Sequence, residues 1–460
     1  MTHQLAVELA CQYNGEIINA DAMQMYRGLP IITNKISPEE QRSIPHHLLG
    51  NIGLDEDTWT VGVFKREASK IIREIRSRGR LPIVVGGTHY YTNSLLFEDI
   101  LVEGDGVAED STSMPDNAVQ YPILDGPTDA ILAKLREVDP AMADRWHPND
   151  RRKSRRSLEI FLTSGRRASE IYAEQEQKKA TKTAIPNKRE SAPWQALLLW
   201  VYSKPDILKA RLDKRVDKMV DRGLMAETAE IYDRLQERLQ SGENVDLSKG
   251  IWQSIGFKQF EPYLKGLKTG EDPLELEKLR KAGLESMKTA TRHYAKSQIR
   301  WITFKTLPLL KQEDMLKQLY VLDSTDIDHW NEHVAQKGLE LTRQFLHGED
   351  MPDPTGTSDT ARGVLSSKIE AASSSQATPC RRRCEVCNMT VLTEELWDKH
   401  IRGRSHRKMV RHAKRTALVP FERPSNDRAL LPIEKPDNEG NDGQDMLDER
   451  SSTTATPEPA

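Results

Sequence analysis

Apolar residues recur at two different spacings along this 460-residue chain, and the alternation between them predicts its architecture. Leu5 to Cys11 has the three-to-four spacing of a short amphipathic helix, whereas Glu16-Ile17-Ile18-Asn19-Ala20 is a mainly apolar run that suits a buried strand ending at Asp21. After Trp59, positions Val63, Ile71, Ile72 and Ile75 mark a second helix closed by Gly79. Leu81 to Val85 then reads as a second buried strand, running into Gly86-Gly87-Thr88. A third repetition pairs a strand, Ala196 to Tyr202, with a helix start at Ser203-Lys204-Pro205-Asp206, where proline sits just inside the first turn. A last short strand, Leu319 to Leu322, precedes a helix carrying Trp330, Val334, Leu341 and Phe345. Such alternation predicts an α/β core with a mostly parallel sheet. Ligands of such sheets gather at the carboxyl ends of the strands, where Asp21 and Thr88 both stand.

Two stretches break the pattern. A polar segment from Gly104 to Pro127, followed by mainly helical, basic sequence to about Arg189, reads as a helical insertion over 101–189 between core segments 1–100 and 190–346. Residues 347–379 are rich in Ser, Thr, Pro, Gly and Asp with little to bury, so they are expected to form a flexible linker. A compact module over 380–412 follows, and the polar, acidic tail over 413–460 is expected to be disordered.

Charge is nearly balanced, 67 Lys plus Arg against 70 Asp plus Glu, so attraction to nucleic acid must come from local clusters. From Gln376 to Arg415 there are eleven Lys or Arg against four Asp or Glu. Cys380, Cys384 and Cys387 lie in that segment and Cys11 far from it, which is no disulfide framework and points to a reducing compartment. No uninterrupted apolar run approaches the roughly 20 residues of a membrane-spanning helix, so no membrane association is expected.

The most specific motif is Cys384-x2-Cys387-x12-His400-x5-His406, the spacing by which two thiolates and two imidazoles close a tetrahedral Zn²⁺ site. Leu392, Leu396 and Trp397 between the pairs supply a small core that the metal lets fold, and Cys380 falls outside the ligand set. Arg404, Arg407, Lys408, Arg411, Lys414 and Arg415 suit either phosphate contact or nuclear import.

In the core, Asp21 places a carboxylate at a strand end, a position that serves a turn or helix cap as readily as catalysis. Gly86 and Gly87 let backbone amides approach an anion. Two helices carry basic stripes. In the first, Arg211, Arg215, Lys218 and Arg222 share a face, with Asp213, Asp217 and Asp221 as expected ion-pair partners. The second, Lys288, Arg292, Lys296 and Arg300, has no comparable acidic neighbours in sequence and is expected to contact phosphates, as is the crowded run Arg151 to Arg156.

Together these segments resemble the tRNA dimethylallyltransferase family, in order, over most of residues 4–305. The stretches that carry the resemblance include Gly15 to Tyr26, Ile31-Ile32-Thr33-Asn34-Lys35, Pro45-His46-His47, Val84 to Thr88 and His147-Pro148-Asn149-Asp150. Further on they include Arg215 to Met219, Gln253-Ser254-Ile255-Gly256-Phe257, and Arg292 to Gln298 with Trp301. The C-terminal finger resembles the eukaryotic branch.

The resemblance implies a P-loop-NTPase-like parallel sheet core with a helical insertion and a C2H2 zinc finger. It also implies transfer of a dimethylallyl group from dimethylallyl diphosphate, with Mg²⁺, to N6 of the adenosine beside the tRNA anticodon. Asp21 matches the family's general base and Arg215 its diphosphate-binding arginine; Thr88, Gly86, Gly87 and Tyr26 match substrate-binding positions. Ala22, Met23, Gln24 and Met25, then Arg152, Lys153, Ser154, Arg155 and Arg156, and Gln253, Gly256 and Lys258 match tRNA-contacting segments, which Arg292 and Lys296 extend.

The anticodon stem-loop is the expected partner of a monomer located in mitochondrion and cytoplasm, and in the nucleus if the basic run acts as an import signal. The family's G-x-x-x-x-G-K-[ST] loop, which would hold diphosphate and Mg²⁺, has no counterpart ahead of Gln4, where Thr2 and His3 stand at the Lys and Ser/Thr places. The expectation is a truncated record of an active enzyme; the alternative is a catalytically inactive tRNA-binding protein.

Overall fold

The computed structural model describes residues 2–56, 58–97, 121–183, 195–247, 249–374, 379–387 and 389–417. Helix α1 (Thr2–Gln12) leads into strand β1 (Gly15–Asn19); a two-residue strand β2 (His46–His47) precedes α2 (Val61–Ser77), β3 (Leu81–Val85) and α3 (His89–Leu96). Helices α4 (Thr128–Val138), α5 (Pro140–Arg145), α6 (Arg151–Ser164) and α7 (Ala168–Thr183) form the described part of the insertion. The chain returns through β4 (Leu198–Tyr202), α8 (Pro205–Asp221), α9 (Leu224–Gln240), α10 (Phe257–Thr269), α11 (Pro273–Trp301) and α12 (Leu307–Gln312). Then come β5 (Leu319–Asp323), α13 (Lys337–His347), α14 (Asp359–Ser374), the hairpin β6 (Pro379–Cys384) and β7 (Met389–Thr393), α15 (Glu394–Ile401) and α16 (Arg404–Ala417).

The core strands are parallel, as their unbroken apolar runs require, but they form two sheets. One has the order β2-β1-β3, with Ile17 opposite both His46 and Ile83; the other pairs β4 with β5, Trp200 opposite Val321. Every residue of β1 is buried, including Glu16 at 2 % exposure. That carboxylate accepts from His47 Nε2 at 2.6 Å, Arg78 Nη2 at 2.8 Å and Arg80 Nη1 at 3.0 Å. Burial alone would raise its pKa, but the three hydrogen-bond partners bring it below the ordinary value. The lock sits at the amino end of β1, leaving the carboxyl end for chemistry.

Helix α2 starts where Thr60 accepts a hydrogen bond from the Val63 amide, and it buries Phe64, Ala68, Ile72 and Ile75 as one stripe against β1. Gly79, at φ +69°, ends the turn into β3. The insertion has its own core, with Ile131, Leu135 and Leu158 fully buried around Trp146; its segment 98–120 lies outside the described residues.

The expected linker is corrected. Within 347–379, α14 buries Ala361, Val364 and Leu365 against Leu319 and Val321 of β5, and Thr360 Oγ1 donates to Asp323 Oδ2 at 2.6 Å. Three apolar residues at helical spacing suffice in a Ser-rich segment once β5 offers a partner surface. Residues 375–378 lie outside the described residues.

The finger hairpin β6–β7 rests on the insertion: Arg381 donates to the Ala143 and Asp144 carbonyls, and His147 Nε2 meets the Thr390 carbonyl at 2.9 Å. From Ile401 on the chain makes a second unit, described over α16, whose Arg404, Arg407, Lys408 and Arg411 are exposed. Residues 413–417, expected as tail, continue that helix; 418–460 lie outside the described residues. Among the described residues no helix is long and apolar enough to cross a membrane.

Candidate active site

Strands β1 and β3 end side by side, and Gly86 is what permits it. A Cβ on Gly86 would lie 2.2 Å from the Ala20 carbonyl carbon and 2.6 Å from the Asp21 amide nitrogen, both backbone atoms that cannot yield. The approach is held by the Ala20 amide donating to Val85 O at 2.8 Å and the Thr88 amide to Ala20 O at 3.1 Å. Asp21 emerges at this crossing. Its Oδ1 accepts from the Met23 amide two residues on at 3.0 Å, so it braces the turn that leads into Met23–Met25, the turn role that was one of its sequence readings. Its Oδ2 faces the other way, across the open face of Gly87: a Cβ there would stand 3.5 Å from Oδ2 and 3.6 Å from the Tyr294 hydroxyl. Thr88 Oγ1 accepts from the Ala22 amide at 3.0 Å and so fixes the chain after Asp21.

Three titrating groups feel one another in this cleft. Burial raises the Asp21 carboxyl pKa, against the lowering effect of the Met23 and Gln24 amides and the Arg215 charge. The surrounding protein lowers Arg215, which Asp21 partly offsets, and the same desolvation with the Asp21 charge pushes the Tyr294 phenol up, although both side chains keep solvent-exposed surface, Tyr294 at 43 %. Arg215 stands on α8 beside Leu212 and Val216, which pack inward. It forms no hydrogen bond or salt bridge among the described residues, so its donors are free for an anion. A carboxylate of raised basicity, a free guanidinium and a neutral phenol can accept a proton, hold an anionic leaving group and donate a hydrogen bond, respectively.

Tyr294 is the group that sequence reasoning passed over, noting it only as a neighbour of the second basic stripe. It stands on α11, far along the chain, and no local spacing ties it to Asp21. Tyr26, by contrast, is corrected: it is 1 % exposed, its hydroxyl 2.9 Å from Thr58 Oγ1, so it is part of the wall rather than a ligand contact. Of the stretch after Asp21, Ala22 and Met23 are partly exposed, Gln24 is 6 % exposed and Met25 is fully buried in the main core.

The basic stripes exchange roles. Asp213 and Asp217 of α8 do not pair with their own helix; they reach across to α11, Asp213 to Arg292 at 2.9 Å and Asp217 to Lys288 at 2.8 Å. The expectation that the second stripe lacks acidic partners is thus overturned for its first two members, because helix packing supplies what sequence distance hid. Lys296 is exposed and carries no ion pair among the described residues. In the first stripe, Arg211 donates to the Ser324 and Thr325 carbonyls and is structural.

The run at the start of α6 is likewise mostly spent internally. Arg151 and Arg155 donate to the Leu124 carbonyl, Arg155 and Arg156 pair with Glu159, and Lys153 lies 4.7 Å over the Trp146 ring. Ser154 is fully buried and cannot reach RNA; Arg152 is exposed. Gln253 and Lys258 are also exposed, but Gly256, at φ +121° and with Ile32 3.1 Å from the place of a Cβ, shapes its segment from within.

At the finger, the ligand atoms of Cys384, Cys387, His400 and His406 all lie within 4.8 Å of one another, and Cys380 is not among them. Two thiols and two imidazoles so gathered fit one tetrahedral Zn²⁺. Trp397 packs beside His400 at 6.0 Å, and Arg382 lies over its indole at 5.7 Å.

Comparison with known proteins follows the same lines. Residues 24–305 match the profile of IPP transferase. The chain belongs to the IPP transferase family. It is 37 % identical to the tRNA dimethylallyltransferase of Schizosaccharomyces pombe over 90 % of this chain and 93 % of that protein. It is 34 % identical to that of Saccharomyces cerevisiae, over 90 % of each, and 33 % to that of Homo sapiens, over 89 % of this chain and 84 % of the relative. A solved eukaryotic dimethylallyltransferase, captured acting on tRNA, superposes with a TM-score of 0.71 at 30 % identity, covering 90 % of this chain and 95 % of that one. In this IPP transferase, Thr88, Arg215 and Tyr294 fall inside the span matched by the family profile, and Asp21 stands three residues ahead of it.

Proposed function

We propose that this IPP transferase moves a dimethylallyl group from dimethylallyl diphosphate to N6 of the adenosine adjacent to the anticodon of tRNA. The observation that carries the reading is the meeting of Asp21 and Tyr294 around Gly87 at the carboxyl ends of β1 and β3, with the Arg215 charge acting on Asp21 from α8. The N6 lone pair attacks the allylic carbon, a C–N bond forms, and the carbon–oxygen bond to diphosphate breaks with its electron pair leaving on oxygen. Arg215 neutralises that charge, and Asp21 takes the proton that N6 sheds. The Tyr294 phenol, held protonated across Gly87 from Asp21, can donate a hydrogen bond in the site. Mg²⁺ belongs to the reaction as the diphosphate's counter-ion.

The anticodon loop would lie over Ala22 and Met23, the exposed Gln253, Lys258 and Lys296, and Arg152 of the insertion, with Zn²⁺ holding the finger against the stem. We place the protein in mitochondrion and cytoplasm, with nuclear entry through the basic run of α16, and as a monomer on tRNA.

The test incubates this chain with dimethylallyl diphosphate, Mg²⁺ and unmodified tRNA and scores isopentenyladenosine by mass. Product that disappears in Asp21→Asn and Arg215→Ala supports the reading. Tight, salt-sensitive tRNA binding without product, both from this chain and from a version carrying the G-x-x-x-x-G-K-[ST] loop ahead of Gln4, would instead establish the inactive tRNA-binding protein.

A further inference from the structure

The loop between Tyr26 and Lys35 has a backbone that local forces do not favour. Gly28, Leu29 and Asn34 all take left-handed conformations, at φ +69°, +51° and +51°, and two of them are not glycine. It lies next to the site, since the Gln24 side-chain amide donates to Asn34 O at 3.2 Å. The loop's apex is held from outside the loop. Glu227, on α9 and 9 % exposed, accepts from the Ile31 amide at 2.9 Å and from the Ile32 amide at 2.7 Å. Lys35 Nζ closes the base by donating to the Tyr26 and Gly28 carbonyls.

Two segments meet this apex. Ile32 packs against Gly256, where only the missing Cβ leaves room, and Gln24 hangs from Asn34 with its own Oε1 buried and unpartnered among the described residues. One carboxylate 195 residues away in sequence from Ile32 therefore sets the register of both the stretch after Asp21 and the segment Gln253 to Lys258. Arg215, one helix earlier, makes no hydrogen bond to the loop among the described residues.

We infer that Glu227 is a positioning residue for the RNA side of the site: by clamping Ile31 and Ile32 it holds Gln24 and the Gly256 segment in the arrangement that receives the tRNA, without affecting prenyl diphosphate binding. This rests on the function proposed above. A buried carboxylate that served folding alone would not separate the two substrates. Its replacement by Gln keeps the volume but turns one acceptor into a donor facing backbone donors.

The test compares Glu227→Gln with Glu230→Gln, an exposed control on the same helix, in the full chain. Amide exchange over 26–35, the Kd for an unmodified anticodon stem-loop and the Kd for dimethylallyl diphosphate are measured, with melting temperature alongside. The expected result is faster exchange of the loop amides and a Kd for RNA weaker by about tenfold, the size of a lost charge-assisted contact. The diphosphate Kd should be unchanged. Unaltered RNA affinity, or equal loss of both ligands in step with a fall in melting temperature, would overturn the inference. All these readouts work without turnover, so absence of transfer activity in the unsubstituted chain would count against the proposed function alone.

Discussion

Gly87→Ala isolates the chemistry from the fold. Gly87 is not in a left-handed conformation, and its new methyl would meet Asp21 Oδ2 at 3.5 Å and the Tyr294 hydroxyl at 3.6 Å, ordinary contact distances. The protein should therefore fold with a melting temperature close to that of the parent. But an amine that passes its proton to Asp21 must come within about 2.9 Å of the carboxylate. A methyl carbon and an amine nitrogen need roughly 3.5 Å between them, so the methyl blocks part of the approach to Oδ2. A displacement of the reacting nitrogen by about 1 Å is worth on the order of 100-fold in rate, or about 2.7 kcal/mol on the barrier. Single-turnover formation of isopentenyladenosine at saturating tRNA and dimethylallyl diphosphate reads this directly, with tRNA affinity as the control. A rate within about threefold of the parent, well short of that loss, would refute the geometry assigned to Asp21 and Tyr294. Gly86→Ala is the companion: its Cβ would fall 2.2 Å from Ala20 backbone, so stability and activity should fall together.

Further outcomes are expected away from the reacting atoms. His89, in the first turn of α3, is held near pKa 4 by burial, against 6.5 for a free imidazole, so the unfolded chain binds its proton first as pH falls. Its contribution is intact above about pH 6.5 and is lost between there and pH 4, by up to about 3 kcal/mol; chemical denaturation at several pH values should show a slope that His89→Gln flattens, and an unchanged slope would contradict it. Chelating Zn²⁺, or Cys384→Ser, should unfold the finger and shift Trp397 fluorescence while the core's melting transition persists; a finger that keeps its circular dichroism after metal removal would rule out a structural ion. Glu16→Gln removes the charge that Arg78, Arg80 and His47 converge on and should cost about 2–3 kcal/mol, since the carboxylate is buried but its partners are half-exposed. Urea denaturation checks it, and a loss below about 0.5 kcal/mol would mean the pairs are worth no more than surface ones.

Periodicity and spacing were enough for whatever depends on near neighbours in the chain. The strands β1, β3, β4 and β5, the helix start at Pro205 and the finger's four ligands all follow from patterns within a few turns of backbone, although β3 and β4, expected to be buried, are only partly so. Asp21 and Gly86-Gly87-Thr88 were legible as strand ends because a parallel sheet places its ligands there. What packing alone decided lies between elements. Asp213 and Asp217 share a helix with Arg215 yet neutralise Arg292 and Lys288 on another helix, because α8 and α11 face each other and ion pairs form across the nearer gap. Most of the cations from Arg151 to Arg156 close carbonyls and meet Glu159 rather than await RNA, α14 orders because β5 offers it an apolar face, and Tyr294 reaches Asp21 from far along the chain. Sequence distance carries no information about such meetings; they are fixed only when buried polar groups must find partners in the folded chain.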